Sequence, residues 1–302
     1  MKIRFLFQLA LYAAPALLGY PLLAQSVADG AGGNDQIEHL GRRARGGDVK
    51  ALQQLEVKCR NGQFKGCAIL GELYLQGGGV ERDIARALSY FKKGCAGNFP
   101  PACIGEAKMI AGGIGAAKDQ AQADLLYKKA FNLLQTACSK NNLMACTTLG
   151  GMYVSGNGVA IDYARAVPLL QKACAGGHLF GCYQLGQRYA TGEGVPQDYL
   201  KAVSLYQKAC DGGTPDGCLS LAVMYSTGRG VAMNSASSAL MYQRACDGGL
   251  GRACYDLGMM FASGQGVAKD PTQQKALTQR ACKLGHQEAC RKSAETESEG
   301  KK

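Results

Sequence analysis

The residues best suited to chemistry in this 302-residue sequence are its fourteen cysteines. Cysteine can form disulfides, ligate metal ions or act as a redox-active thiolate. The cysteines fall into seven pairs, in which the second member follows the first by eight positions: Cys59/Cys67, Cys95/Cys103, Cys138/Cys146, Cys174/Cys182, Cys210/Cys218, Cys246/Cys254 and Cys282/Cys290. The even number and the constant spacing predict seven disulfides within these pairs.

The other two cysteine chemistries are disfavoured by the spacing. A zinc site needs about four clustered ligands, but the sequence has no Cys-x-x-Cys, and His39, His178 and His286 are far apart. Redox catalysis also favours Cys-x-x-Cys and a lowered thiol pKa. We therefore expect neither a metal nor another cofactor.

The helix pattern explains how each pair could meet. The first cysteine ends one predicted helix and the second begins the next, across a glycine-containing turn such as Ala175-Gly176-Gly177. Two helix ends joined by so short a turn can bring their Cα atoms within disulfide range.

The cysteine pairs mark a repeating unit of 36 residues, with a single step of 43. In the unit from Cys182 to Cys218, Leu185 and Tyr189 are four residues apart, on one face of predicted helix A. A Gly-x-Gly-Val loop follows, and predicted helix B runs to Cys210. Internal periods of this length predict an all-α solenoid, in which each unit buries its apolar face against its neighbours. Helix B is preceded by a capping residue in five units: Asp83, Asp162, Asp198, Asn234 and Asp270.

One predicted helix B is longer than the others. Seven extra residues separate Cys103 from Cys138, and they fall within 123–137. Because seven residues are close to two helical turns, the apolar face stays in phase while the helix grows by roughly 10 Å. The unit is either specialised or a tolerated insertion, and the sequence does not separate the two.

The ends of the chain differ from the repeats. Basic residues, an apolar run and small residues predict a signal peptide over 1–26, followed by a flexible leader over 27–36. A membrane anchor is the alternative, although two prolines and a glycine interrupt the run. We expect a capping hairpin over 37–60, tandem repeats over 61–292 and a disordered polar tail over 293–302.

Charge and compartment narrow the choice of partners. A signal peptide and disulfides together predict a periplasmic or secreted protein without a membrane-spanning segment in its mature form. The net charge is +11, but lysine and arginine are spread along every unit and tryptophan is absent. Nucleic-acid binding favours a basic stripe with aromatic residues, so we expect no nucleic-acid partner.

The face of helix A opposite the leucine and tyrosine varies between units, as a binding surface would. Solenoids of this kind present such faces on a concave surface to peptides or proteins. Ordinary solvent exposure is the alternative. The predicted binding face comprises Glu72, Gln76, Thr148, Gln184, Arg188, Ser220 and Asp256.

Evidence for an enzyme is weak. The Ser-x-x-Lys from Ser89 to Lys92 lies in the middle of a predicted helix, and the sequence has no Ser-Asp-Asn or Lys-Thr-Gly after it. Free backbone donors for an oxyanion lie at helix N-termini rather than in helix interiors. We therefore assign no catalytic residue.

The pattern Leu-Gly-x-x-Tyr-x-x-Gly-x-Gly-Val-x-x-Asp-x-x-x-Ala, which recurs between residues 37 and 290, resembles the Sel-one-like repeat, a relative of the tetratricopeptide repeat. The cysteine pairs resemble those of the Helicobacter cysteine-rich protein family. This resemblance implies a right-handed α/α solenoid of disulfide-locked helix hairpins. It also implies export and, for several members, penicillin binding or weak β-lactamase activity.

These observations predict an exported repeat scaffold that binds proteins or peptides in the cell envelope or outside the cell. The alternative, which the family resemblance implies, is a protein that binds β-lactams or peptidoglycan fragments and has weak β-lactamase activity.

Overall fold

The computed structural model describes residues 34–77 and 79–299, which form fifteen α-helices and no strand. The predicted signal peptide and residues 27–33 of the predicted leader lie outside the described residues. The helices are α1 Asn34–Arg45, α2 Val49–Arg60, α3 Phe64–Gln76, α4 Ile84–Ala96, α5 Pro100–Gly112, α6 Gln120–Ser139, α7 Leu143–Ser155, α8 Tyr163–Ala175, α9 Leu179–Thr191, α10 Tyr199–Asp211, α11 Pro215–Thr227, α12 Ser235–Asp247, α13 Gly251–Ser263, α14 Pro271–Lys283 and α15 Gln287–Glu299.

The helices stack as consecutive hairpins, which confirms the predicted all-α solenoid. Each odd-numbered helix from α3 to α13, here called an A helix, packs against the even-numbered B helix that follows it. Each B helix from α4 to α14 also packs against the next odd-numbered helix. Because contacts run between neighbours, the buried apolar residues form three hydrophobic clusters that follow one another along the array.

All fourteen cysteines form the predicted disulfides, and no cysteine is free. In the pair Cys210–Cys218 the sulfur atoms are 2.02 Å apart and the Cα atoms are 4.5 Å apart. Each disulfide joins the end of one hairpin to the start of the next. The bonded pairs are Cys59–Cys67, Cys95–Cys103, Cys138–Cys146, Cys174–Cys182, Cys210–Cys218, Cys246–Cys254 and Cys282–Cys290.

The second cysteine of each pair lies deeper in its helix than the sequence predicts. The prediction that this cysteine begins the helix is wrong, because Cys67 is the fourth residue of α3 and Cys254 is the fourth residue of α13. A glycine with positive φ, Gly62 or Gly249, reverses the chain within three residues, so the next helix starts earlier. Both cysteines are fully buried as a result, one turn inside the helix and against the preceding B or capping helix.

The Asp and Asn residues before the B helices act as N-caps, as predicted. The Asp162 carboxylate accepts a hydrogen bond from the backbone N–H of Arg165 at 2.9 Å, and Asn234 accepts one from Ser237 at 2.9 Å. Each A helix ends instead at a glycine with positive φ, such as Gly192 at 78°. Only glycine adopts this conformation readily, so the loop starts at a defined residue.

Replacing the cap of α8 should weaken this hairpin. We expect Asp162→Ala to lower the free energy of unfolding by about 1 kcal/mol, because the first turn loses the acceptor for its free N–H group. Urea denaturation measures the change. Asp162→Asn is the matched control, since Asn234 caps α12 at the equivalent position. Equal losses in the two variants would contradict the capping role.

Basic side chains link successive B helices. Lys172 donates a hydrogen bond to the carbonyl oxygen of Cys138 at 3.0 Å, and Lys208 donates to that of Cys174 at 3.1 Å. A cation near a helix C-terminus satisfies a free carbonyl and complements the helix dipole. Equivalent hydrogen bonds to the cysteine carbonyl oxygen one repeat earlier are donated by Lys129 to Cys95, by Arg244 to Cys210 and by Arg280 to Cys246.

The two ends of the array depart from the predicted boundaries. Helix α1 begins at Asn34, so residues 34–36 of the predicted leader are helical. Helix α15 continues to Glu299, so residues 293–299 are helical rather than disordered as predicted. After Gln287 the sequence contains no glycine or proline to end the helix before Gly300.

Helix α6 carries the predicted extension, with 20 residues where every other B helix has 13. The packing of the loops against the B helices shows how this extension shifts the next hairpin. In four Gly-x-Gly loops the second glycine lies against the first residue of the preceding B helix, as Gly194 lies against Tyr163. Gly158 instead lies against Tyr127, seven residues inside α6. The α7–α8 hairpin is therefore displaced by two turns along α6, about 10 Å.

Candidate binding site on the A-helix face

A cavity of about 180 Å³ opens on the face formed by the A helices, between α5, α7 and α9. It lies at the displaced hairpin, where α7 is bordered by α5 on one side and by α9 on the other. Lys108 of α5, Thr148 of α7 and Arg188 of α9 are among the residues that line it. We call this site the A-face cavity.

The walls of the A-face cavity are largely apolar. Ile104 comes from α5, Met144 and Met152 come from α7, and Phe180 and Tyr183 come from α9. The rings of Phe180 and Tyr183 pack against each other with centroids 5.4 Å apart. Ligand sites commonly combine such walls with a few polar groups that fix the orientation of the ligand.

Arg188 places a charge where the other repeats have an apolar residue. It is 8% exposed, and its guanidinium forms an ion pair with Glu193 and lies 5.5 Å from the centroid of the Tyr163 ring. Its Nε has no hydrogen-bond partner among the described residues. The equivalent positions six residues after the second cysteine hold Leu73, Met109, Met152, Met224 and Met260.

Gln184 lies one turn before Arg188 on the same face of α9. Its Oε1 is buried and has no hydrogen-bond partner among the described residues. Both residues line the A-face cavity. A buried donor and a buried acceptor therefore remain unsatisfied on one helix face, which is rare in native proteins and costs free energy.

Lys108 adds a second cation to the cavity wall. Burial lowers the pKa of its ammonium group, and the charge of Glu72 acts in the opposite direction. Glu72 is itself buried, on the neighbouring helix α3. None of the described residues that line the cavity is acidic. Arg188 and Lys108 therefore line the cavity, whereas the carboxylates that act on them, Glu193 and Glu72, are not among its lining residues.

His178 directly precedes α9 and lines the cavity. Its Nδ1 accepts a hydrogen bond from the backbone N–H of Gly181 at 3.2 Å and lies 2.9 Å from Oγ1 of Thr147. Burial lowers its pKa to about 4. The imidazole is therefore neutral at physiological pH and acts as the N-cap of α9.

This burial predicts a pH-dependent stability. Between pH 6.5 and about 4 the unfolded chain binds a proton at His178 that the folded chain does not bind. The free energy of unfolding therefore falls as the pH is lowered through this range, by on the order of 3 kcal/mol for this group. Denaturant unfolding at several pH values measures the change.

The matched control for His178 is His178→Asn, because Asn142 caps α7 at the equivalent position through the N–H of Ala145. We expect the variant to lose this part of the pH dependence while other groups continue to titrate. Identical pH profiles in the two proteins would contradict the assignment.

The family comparison agrees with this architecture. The Sel1 repeat matches six consecutive segments, 65–99, 105–142, 143–178, 179–214, 215–250 and 251–286. The chain belongs to the Sel1 repeat family. A comparison with curated protein sequences found no match.

Solved structures include other Sel1 repeat proteins. One from Oxalobacter formigenes is 23% identical over 77% of this chain and 90% of its own, with a TM-score of 0.53, and shows the same fold. A protective antigen of uropathogenic Escherichia coli strains is 33% identical with a TM-score of 0.48; the match covers 79% of this chain but half of the antigen. Cysteine-rich protein B of Helicobacter pylori is 31% identical over 43% of this chain and 94% of its own, with a TM-score of 0.36.

Three of the seven residues predicted for the binding face meet in the A-face cavity of this Sel1 repeat protein. They are Thr148, Gln184 and Arg188, on two successive A helices. The other four lie elsewhere. Glu72 is buried on α3, and Gln76 is exposed at the end of the same helix. Ser220 on α11 and Asp256 on α13 are half-buried.

Sequence reasoning missed Lys108 and His178. Lys108 stands 36 residues after Glu72, at the same position of its repeat, so an alignment of the repeats would have added it to the face. His178 occupies the N-cap position that Asn142 holds one repeat earlier. Its role as an N-cap does not indicate that His178 lines a cavity beside the displaced helix α7.

Residues 34–77 and 79–299 were also compared with the serine-hydrolase and metal-site alternatives. Ser89 and Lys92 are exposed on α4, away from its N-terminus. No group of three potential metal ligands occurs in this part of the chain. Each helix there is also too short or too polar to cross a lipid bilayer.

Proposed function

We propose that this Sel1 repeat protein is an exported scaffold that binds a protein or peptide segment on its A-helix face, in the periplasm or outside the cell. Sel1 repeats form interaction surfaces, as solenoids generally do. Seven disulfides suit an oxidising compartment and indicate an extracytoplasmic protein. The resemblance of the cysteine pairs to those of the Helicobacter cysteine-rich proteins supports export.

The A-face cavity is the observation that carries this proposal. It joins residues from three A helices and combines apolar walls with unsatisfied polar atoms. It also lies beside α7, the A helix that follows the one B helix of unusual length among the described residues. A departure from the repeat at the site of a cavity favours specialisation over a tolerated insertion.

Site-specific photo-crosslinking tests the proposal. A photo-reactive residue is placed at Ser155, which is exposed and lines the cavity, and in a second variant at Ser204, which is exposed on helix α10. We expect a crosslinked protein or peptide from envelope extract at position 155 and not at 204. No crosslink at 155, or the same products at both positions, would contradict the proposal.

A further inference from the structure

The cavity holds two unsatisfied polar atoms whose chemistry is complementary to a peptide group. Nε of Arg188 is a donor and Oε1 of Gln184 is an acceptor, and both are buried without partners among the described residues. The two residues are four apart on α9, so their side chains are neighbours on one helix face. A ligand that satisfies both atoms must offer both an acceptor and a donor.

We propose that Arg188 and Gln184 hold the main chain of an extended peptide, and that an apolar side chain of the same peptide fills the A-face cavity. The carbonyl oxygen of one peptide residue accepts from Nε–H of Arg188, and the N–H of that residue donates to Oε1 of Gln184. This assignment rests on the proposed function and names what the face recognises.

An extended chain can supply both the acceptor and the donor that this pair of atoms lacks. In a strand, the N–H and C=O of one residue point to the same side, which allows one residue to form both hydrogen bonds with a single neighbour. Recognition of main-chain groups supplies affinity in such complexes, and pockets for alternate side chains supply specificity. Here α9 replaces the neighbouring strand.

The size and lining of the cavity favour an anchoring side chain over a whole small molecule. Pockets for drug-sized ligands measure about 300–1,000 Å³, whereas this cavity has about 180 Å³. Its walls include Ile104, Met144, Met152 and Phe180. With Lys108 in the wall and no acidic residue among the described lining residues, an acidic neighbour of the anchor is favoured over a basic one.

Arg188 is held in a way that leaves one donor available. The ion pair with Glu193 and the contact with the Tyr163 ring fix the guanidinium. Burying a cation costs desolvation free energy, and the other repeats avoid that cost with leucine or methionine. A binding role accounts for the arginine in this repeat.

The test uses a set of five-residue, end-capped peptides with leucine or phenylalanine at the centre and aspartate beside it, and each has a partner that is N-methylated at the central residue. Fluorescence anisotropy measures binding to the full chain. We expect at least one parent peptide to bind, and its N-methylated partner to bind at least tenfold more weakly, because methylation removes the donor to Gln184.

Two variants probe the protein side. Arg188→Met introduces the residue found in four other repeats, and Gln184→Ser introduces the residue found at Ser220, so both should fold. We expect each to weaken binding at least tenfold with an unchanged circular dichroism spectrum. Gln76→Ser, outside the cavity, is the control and should bind as the unaltered protein does.

Several results would overturn the inference: no peptide of the set binds, the N-methylated peptides bind as tightly as their parents, or both variants bind normally. Crosslinking at Ser155 separates this failure from failure of the proposed function. If partner capture persists while the peptides or variants give any of these results, the face binds a partner by other contacts.

Discussion

Reduction of the seven disulfides is expected to unfold this Sel1 repeat array under conditions in which the oxidised protein is fully folded. Each disulfide closes a loop between residues eight apart, for which the chain-entropy relation gives about 2.5 kcal/mol per bridge. Whole domains are typically stable by about 5–15 kcal/mol. Full additivity would give about 17 kcal/mol for the seven bridges, and half of that is still comparable with the stability of a whole domain.

Thermal unfolding followed by far-UV circular dichroism, with and without a reductant, measures this effect. Identical transitions in the oxidised and reduced proteins would contradict it. Mass spectrometry of alkylated samples confirms the redox state in each case, so a negative result cannot come from incomplete reduction.

Single bridges provide the matched comparison. Replacing Cys210 and Cys218 by alanine should lower the free energy of unfolding more than the same change at Cys282 and Cys290. The first pair joins two hairpins inside the array, whereas the second joins α14 to the last described helix. In a solenoid an internal unit couples to two neighbours and a terminal unit to one. A larger loss at the terminal pair would contradict this reasoning.

Deletion of residues 131–137 is expected to close the A-face cavity and abolish binding of the partner captured at Ser155. The deletion leaves Lys129-Ala130-Cys138, which has the form of Lys172-Ala173-Cys174 in the regular unit. Helix α6 then has the common length of 13 residues, and the two turns that displace the α7–α8 hairpin are gone.

The loop packing predicts where the shortened chain would settle. In regular units the second loop glycine lies against the first residue of the preceding B helix. After the deletion, Gly158 should therefore lie against Gln120 instead of Tyr127. The α7 helix moves back by about 10 Å, and its contribution to the cavity moves with it.

Crosslinking from position 155 and a crystal structure of the deletion variant measure both consequences. The disulfide Cys138–Cys146 and every residue that lines the cavity remain in this variant. A loss of binding would therefore result from the changed position of α7 and not from a missing cavity residue. Phe131→Ala, which alters the removed segment without shortening α6, is the control and should keep the displacement. Full binding by the deletion variant would contradict a role for the extension.

The sequence by itself determined the parts of this protein that depend on local spacing. Two cysteines that lie eight residues apart across a short turn are within reach of each other. The disulfides could therefore be predicted from the cysteine positions alone. The N-caps and the glycine-ended A helices were equally predictable, because a cap such as Asp162 acts on N–H groups within its own helix. The same is true of the length of α6, since an in-phase insertion shows in the cysteine spacing.

The exact start of each A helix was less predictable than the disulfides. Cys67 and Cys254 lie one turn inside their helices, because the preceding glycine completes the reversal of the chain in three residues. The spacing of eight fixes which cysteines meet, but it leaves open how those positions divide between turn and helix.

Only the tertiary structure decided what the extension does. Its seven residues could have projected into solvent, but the loop at Gly158 follows them along α6 and carries α7 past α5. That displacement brings Lys108 of α5 to one cavity with Arg188 of α9 and His178, the N-cap of α9, which lie two hairpins further along the chain. Local patterns specify helices and turns, whereas the register between neighbouring hairpins depends on packing between surfaces distant in sequence, which no single repeat encodes.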